Sequence, residues 1–267
     1  MIKIGVCTGL ENIRAAKRAG FEYLEFSLSV LTRATEPEFY DICQKINDSG
    51  LPVEVCNGML PGDFKIVGPN VNAQTLREYL SLAFDRARLL GAKVVVFGSG
   101  GARSIPDGWA ADTGWRQIAN FLQLAEKHAE DADIQIAIEP LRKMESNLLN
   151  YVSEATLMAS LLQLKNVRVL GDTFHMAVGA EPLSALTTAG SLLAHVHVAN
   201  PIGRAYPKRG DGEDYSKLFR ALTDGGYDGR VSVEALYSDF EAEAAEAYQA
   251  LAEARERGSA PDTPPRE

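Results

Sequence analysis

Histidine is scarce in this chain, with four residues in 267. Cysteine is scarcer, at three, and none lies in a C-x-x-C arrangement. An odd count excludes a fully paired disulfide framework, and the spacing gives no cysteine-ligated zinc site. Cys7, Cys43 and Cys56 each lie in an apolar segment and read as reduced, buried thiols. No apolar run approaches ~18 residues, so no helical membrane span is expected. No charged-then-apolar leader opens the sequence. The expected setting is soluble and cytoplasmic, with no membrane partner. Positive charge is also in deficit: 27 Lys and Arg face 36 Asp and Glu, a net charge of -9. Binding a phosphate backbone depends on counterion release by basic side chains, so nucleic acid is not an expected partner. Finally, no G-x-G-x-x-G turn follows an early strand. "GVCTGLEN" and "GSGGARSIPDG" both lack that spacing, which disfavours a doubly wound dinucleotide fold.

What is present is a regular alternation. Short β-branched runs ("IKIGVC", "FEYLEF", "LPVEVC", "AKVVVF", "IQIAIE", "VRVLGD", "AHVHVA", "GRVSVEA") are each followed by a segment of helical period. Continuous apolar strands joined through helices are the mark of a parallel sheet covered on both faces. Eight such units in roughly 250 residues predict an α/β fold, a single (β/α)8 TIM barrel. The barrel is expected over residues 1–257, with a disordered C-terminal tail, "GSAPDTPPRE", over 258–267. Apolar residues make up 46% of the chain, enough for a large core.

Barrels carry their chemistry at the C-terminal ends of the strands. Four successive strands end in ionisable groups: Glu139 in "IAIEP", Asp172 in "VLGDTFH", His197 in "AHVHVAN" and Glu234 in "VSVEAL". Any one of them has a plain alternative; Asp172 in particular could simply cap the following helix. Their convergence on one rim is what favours chemistry. Three carboxylates there would repel unless a cation compensated them. Carboxylates with one imidazole suit a hard divalent ion, here one Mn²⁺, with Mg²⁺, Co²⁺ or Fe²⁺ as alternatives. His195 and His197 share a strand face. His197, nearer the C-terminal end, is the expected ligand, and His195 the deeper, supporting one.

The segments "IEPLRKMESN", "GDTFHM", "HVHVANPIGRAYP" and "GYDGRVSVEAL" resemble the sugar-phosphate isomerase/epimerase group of the xylose-isomerase-like barrel superfamily, and the resemblance covers nearly the whole chain. In its ketose 3-epimerases a Glu, an Asp, a His and a Glu of the last four strands hold one ion. The resemblance thus implies Glu139, Asp172, His197 and Glu234, and it implies Glu145, His175 and Arg204 as contacts to the sugar. It also implies proton abstraction next to the carbonyl of a ketose or polyol-ketone through a metal-stabilised enediolate. Glu139 and Glu234 would be the acid/base pair. Returning the proton to the same carbon gives epimerisation, and to its neighbour isomerisation. Loss of a β-hydroxyl gives the dehydratase or lyase alternative, as in inosose dehydratases or on a sugar glycoside. One departure stands out: the epimerase pattern H-x-x-E-x-N-R is here "HVANPIGR", lacking the acidic residue and placing its Arg one position later.

Rim loops add three expected substrate contacts: Arg103 and Trp109 in the glycine-rich loop after the fourth strand, and Asn57 after the third. Barrel phosphate sites usually form after strands seven and eight. The stretch after strand eight, "ALYSDFEAEAAEAY", is acidic, so an unphosphorylated sugar or polyol is the expected partner. The superfamily's apurinic-site endonucleases need further histidines on the early strands, and the first four strands here have none. A non-catalytic sugar-binding barrel is the remaining alternative. Relatives in the group often form homo-oligomers.

Overall fold

In a computed structural model, described over residues 1–260, eight parallel strands close into a barrel in chain order. The strands are β1 (Lys3–Cys7), β2 (Tyr23–Ser27), β3 (Val53–Asn57), β4 (Val94–Phe97), β5 (Gln135–Ile138), β6 (Val167–Asp172), β7 (Leu193–Val198) and β8 (Arg230–Val233). Closure comes from β1 pairing with β8, with Ile4 opposite Val231 and Val6 opposite Val233. The helices are α1 (Ile13–Ala19), α2 (Leu28–Arg33), α3 (Glu36–Ser49), α4 (Ala73–Leu90), α5 (Gly100–Arg103), α6 (Ala111–Ala132), α7 (Val152–Leu162), α8 (Thr173–Val178), α9 (Ser184–Ala189), α10 (Ser216–Asp224) and α11 (Phe240–Ser259). The expected (β/α)8 barrel is the observed fold. The short α2, α5 and α8 were not expected; each is a turn or so of helix inside a loop that follows a strand.

Local sequence sets the helix ends. Thr35 and Glu38 form a reciprocal capping box at the start of α3, Pro37 sits in its first turn, and Gly50 ends it in the left-handed region at φ 65°. The Asn72 side chain accepts from the N–H groups of Gln74 and Thr75 to start α4. Along α4, Leu76, Leu80, Ala83, Phe84 and Ala87 are buried at helical spacing and face the sheet.

Two apolar layers result. The larger lies between the sheet and its helices. A smaller one fills the barrel interior with Tyr23, Val55, Val94, Val96, Ala137, Leu170 and Ala194. Gly5 makes room for that filling, because a Cβ there would fall 2.3 Å from the Tyr23 ring. The interior is therefore packed, and a substrate can be reached only from its ends. The expected domain boundary at 257 falls inside α11, which continues through Gly258 and Ser259. Gly258 is buried against α10, where a Cβ would meet the Ser216 carbonyl at 2.6 Å. Residues 261–267, the rest of the expected tail, lie outside the described residues. No helix among the described residues is long and apolar enough to cross a membrane. The three cysteines are free thiols, but only Cys56 is fully buried; Cys7 and Cys43 are half-buried.

Candidate metal centre and sugar site

The C-terminal ends of β5 to β8 bring Glu139, Asp172, His197 and Glu234 together. Each offers one ligand atom, and all four atoms lie within 4.8 Å of one another. His197 Nδ1 stands 3.2 Å from Glu139 Oε1, 3.2 Å from Glu234 Oε2 and 3.9 Å from Asp172 Oδ2. Glu139, Asp172 and His197 are buried, and Glu234 is half-buried. Glycine at 98 is a condition of this arrangement, since a Cβ there would lie 2.2 Å from Glu139 Oε2. Asp172 fulfils both readings of its place in the sequence. Its Oδ1 caps α8, accepting from the N–H groups of Phe174 at 2.7 Å and His175 at 3.2 Å. Its Oδ2 faces the cluster, 3.4 Å from Arg204 Nη2.

The charges do not simply repel. Burial, with Glu234 and Asp172 nearby, raises the Glu139 carboxyl to about 7 against the pull of His197. Burial would raise Glu234 too, but His197 and Arg204 bring it down to about 2. His197 is also buried, yet Glu25 and Glu234 hold its proton well above the usual histidine range. Two carboxylates of one site thus shift in opposite directions, because Glu234 has the Arg204 guanidinium beside it.

A family model described as "Xylose isomerase-like TIM barrel" matches residues 13–256. The chain belongs to this family. Within it, the chain is 25% identical to the 3-dehydro-D-guloside 4-epimerase of Escherichia coli over 240 residues, covering 84% of this chain and 86% of that one. It is 28% identical to the L-ribulose 3-epimerase of Mesorhizobium japonicum over 234 residues, with 84% and 74% covered. The crystal structure of an E. coli 3-keto-D-glucoside 4-epimerase superposes with a TM-score of 0.79 at 25% identity, covering 96% of this chain and 100% of that one.

Around this barrel's cluster the expected sugar contacts separate into two groups. His175 and Arg204 border the cluster, and Glu145 lies near enough to act on the charge of both. His175 Nδ1 accepts from the Arg142 backbone N–H at 3.3 Å, and its buried Nε2 has no hydrogen-bond partner. Burial lowers the His175 pKa, and with Nδ1 accepting from Arg142, Nε2 is the nitrogen left to donate. Arg204 donates to Glu234 and Asp172. It adopts a left-handed backbone at φ 52°, held by a 2.8 Å bond from Leu236 N–H to its carbonyl. Its guanidinium and that of Arg142 both lie about 5 Å from the Phe174 ring centre, at 5.1 and 5.0 Å. Glu145 is ion-paired with Arg142 at 2.6 Å. Asn57 ends β3 on the same face as the interior Val55, and so at the barrel mouth.

Arg103 and Trp109 do not belong with them. Arg103 is wholly buried, and its guanidinium donates to the carbonyls of Phe97 at 3.1 Å, Glu139 at 2.7 Å and Leu149 at 3.2 Å. It ties β4, β5 and the following loop together and has no donor directed at a substrate. Trp109 is half-buried, and its indole N–H donates to Gln117 Oε1 at 3.0 Å, which turns it onto α6.

Sequence reasoning missed Glu25. This fully buried carboxylate of β2 stands between the two β7 histidines, 2.8 Å from His195 Nε2 and 2.9 Å from His197 Nε2. His195 Nε2 also lies 3.2 Å from Ser232 Oγ, which is 2.8 Å from the Tyr23 hydroxyl. The signal was present in "FEYLEF": a carboxylate two residues beyond Tyr23 and so on the same face of the strand.

Proposed function

We propose that this chain is a divalent-cation-dependent sugar epimerase acting on an unphosphorylated ketose or keto-glycoside, with Glu139 and Glu234 exchanging the proton next to the carbonyl. The observation that carries this reading is the convergence of Glu139, Asp172, His197 and Glu234 within 4.8 Å. Three carboxylates and one imidazole form a hard donor set that fits Mn²⁺, Mg²⁺, Co²⁺ or Fe²⁺, and Mn²⁺ is the ion proposed. The full-length relatives named as epimerases support the reaction class.

The roles follow from position. Glu139, Asp172, His197 and Glu234 would hold a cation that, when bound, would supply the Lewis acidity a carbon acid needs to ionise near neutral pH. Glu139 and Glu234 are the two carboxylates placed to take a proton from the carbon next to the carbonyl and to return one. They follow β5 and β8, which have β6 and β7 between them, and so can address opposite faces of a sugar lying between them. His175 Nε2–H donates to a substrate oxygen. Arg204, Glu145 and Asn57 supply further donors and acceptors for hydroxyl groups, and Phe174 offers its ring beside the two guanidiniums. Phosphate is not favoured, because Arg209, in the loop after β7, is bound by Glu253. The three free thiols support a reducing, cytoplasmic setting.

The test is incubation in D₂O with D-fructose, L-ribulose and a 3-keto-glucoside, following deuterium by NMR. Deuterium at a carbon next to the carbonyl of a recovered epimer is the expected result. Loss of water from the product would replace epimerisation by dehydration. No exchange with any of the three, by protein shown to contain metal, would contradict the proposal.

A further inference from the structure

We infer that Glu25 is a positioning residue that fixes the proton of both barrel histidines on Nε2, so that His197 presents Nδ1 to the three carboxylates of the rim. Its consequence for the ion rests on the function proposed above; its effect on the rings does not.

The two oxygens of Glu25 are divided between two rings: Oε2 faces His195 Nε2 at 2.8 Å and Oε1 faces His197 Nε2 at 2.9 Å. A carboxylate only accepts, so both rings must donate from Nε2. His195 then has a bare Nδ1, and that atom is indeed buried without a partner. His197 directs Nδ1 at Glu139 and Glu234, both at 3.2 Å. The two rings are perpendicular, with centres 5.0 Å apart, so one carboxylate between them sets both orientations. Glutamate is the right length to reach both from β2, across the barrel from β7. A ligand imidazole is commonly oriented in this way by a carboxylate on its other nitrogen, and losing such a partner typically weakens metal binding about 10- to 100-fold. The two histidines at spacing i, i+2 are thereby explained: one is presented to the rim, and the other shares its anchor.

The test uses two variants of the full chain and two readouts. In Glu25→Met an apolar side chain of similar size removes both acceptors. Its Mn²⁺ dissociation constant, followed by electron paramagnetic resonance of free Mn²⁺, should rise about 10- to 100-fold; a constant within about twofold of the parent's would overturn the inference. Glu25→Gln keeps the shape but offers one acceptor and one donor. In metal-free protein labelled with ¹⁵N-histidine, the parent should show protonated Nε2 in both rings and a bare Nδ1 at His195. In Glu25→Gln one of the two rings should lose its Nε2 proton. Unchanged ring spectra would overturn the inference even if Glu25→Met did not fold. A parent protein that takes up no Mn²⁺ would count against the metal reading alone, and the ring spectra would still decide the role of Glu25.

Discussion

The two ends of the barrel interior both hold buried or half-buried charge, and they handle it in opposite ways. At the N-terminal end, Glu54 of β3 gives one oxygen to Lys3 and the other to Arg230. Each carboxylate oxygen has its own cation, and the group closes on itself. At the C-terminal end, Glu139, Asp172 and Glu234 share Arg204 and His197, and Glu25 below them lies between two histidines and beside the Cys7 thiol. The first arrangement is complete without a ligand. The second concentrates negative charge around one point, and this is what suits it to a cation and a polar substrate.

The sharpest way to break this comparison is to remove one charge from each end. Glu234→Gln should lower kcat roughly 10³-fold, the usual scale for loss of a general acid or base, with thermal melting little changed. A rate near that of the parent would remove Glu234 from the chemistry. Arg103 sharpens the contrast in another way, since it lies at the C-terminal end yet behaves as a structural group. Arg103→Met strips donors from three carbonyls and should cost about 3 kcal/mol of stability in denaturant unfolding, with the KM for sugar unchanged. A raised KM with full stability would restore it as a substrate contact. Glu54→Ala, at the opposite end, should cost about 1–2 kcal/mol, because its cations are partly exposed. Its kcat and metal content should stay within about twofold of the parent's; a large loss of activity would show that the two ends are not independent.

The smallest effect is a pH dependence. His197 is buried, but Glu25 and Glu234 raise its pKa, so it contributes stability that is fully present below about 6.5, the ordinary histidine value. That contribution is lost as pH rises through the higher folded value. Chelator-treated protein should therefore melt a few degrees lower at pH 9 than at pH 7, and His197→Gln should abolish that slope. An unchanged slope in the variant would assign it to other groups.

The fold and the rim cluster were legible because a parallel barrel writes its strands as continuous apolar runs and its polar rim groups at their ends. Glu139, Asp172, His197 and Glu234 each interrupt such a run at the same point. Glu25 was not legible by that rule, because it lies within β2 rather than at its end and its partners are 170 and 172 residues away. Arg103 misled for a related reason. A basic residue in a glycine-rich rim loop reads as a ligand contact, but the short α5 turns it inward onto three carbonyls. The direction of a side chain in a loop depends on tertiary hydrogen bonds that no local pattern encodes. The barrel was expected to end at 257, whereas α11 runs on to Ser259, because the missing side chain of Gly258 lets α11 pack on α10.

The most direct measurement is anomalous diffraction from crystals soaked in Mn²⁺, recorded on both sides of the manganese edge. The account predicts one strong peak bonded to Glu139, Asp172, Glu234 and His197 Nδ1. A difference map with no peak at that point, or with manganese held by other side chains, would contradict it.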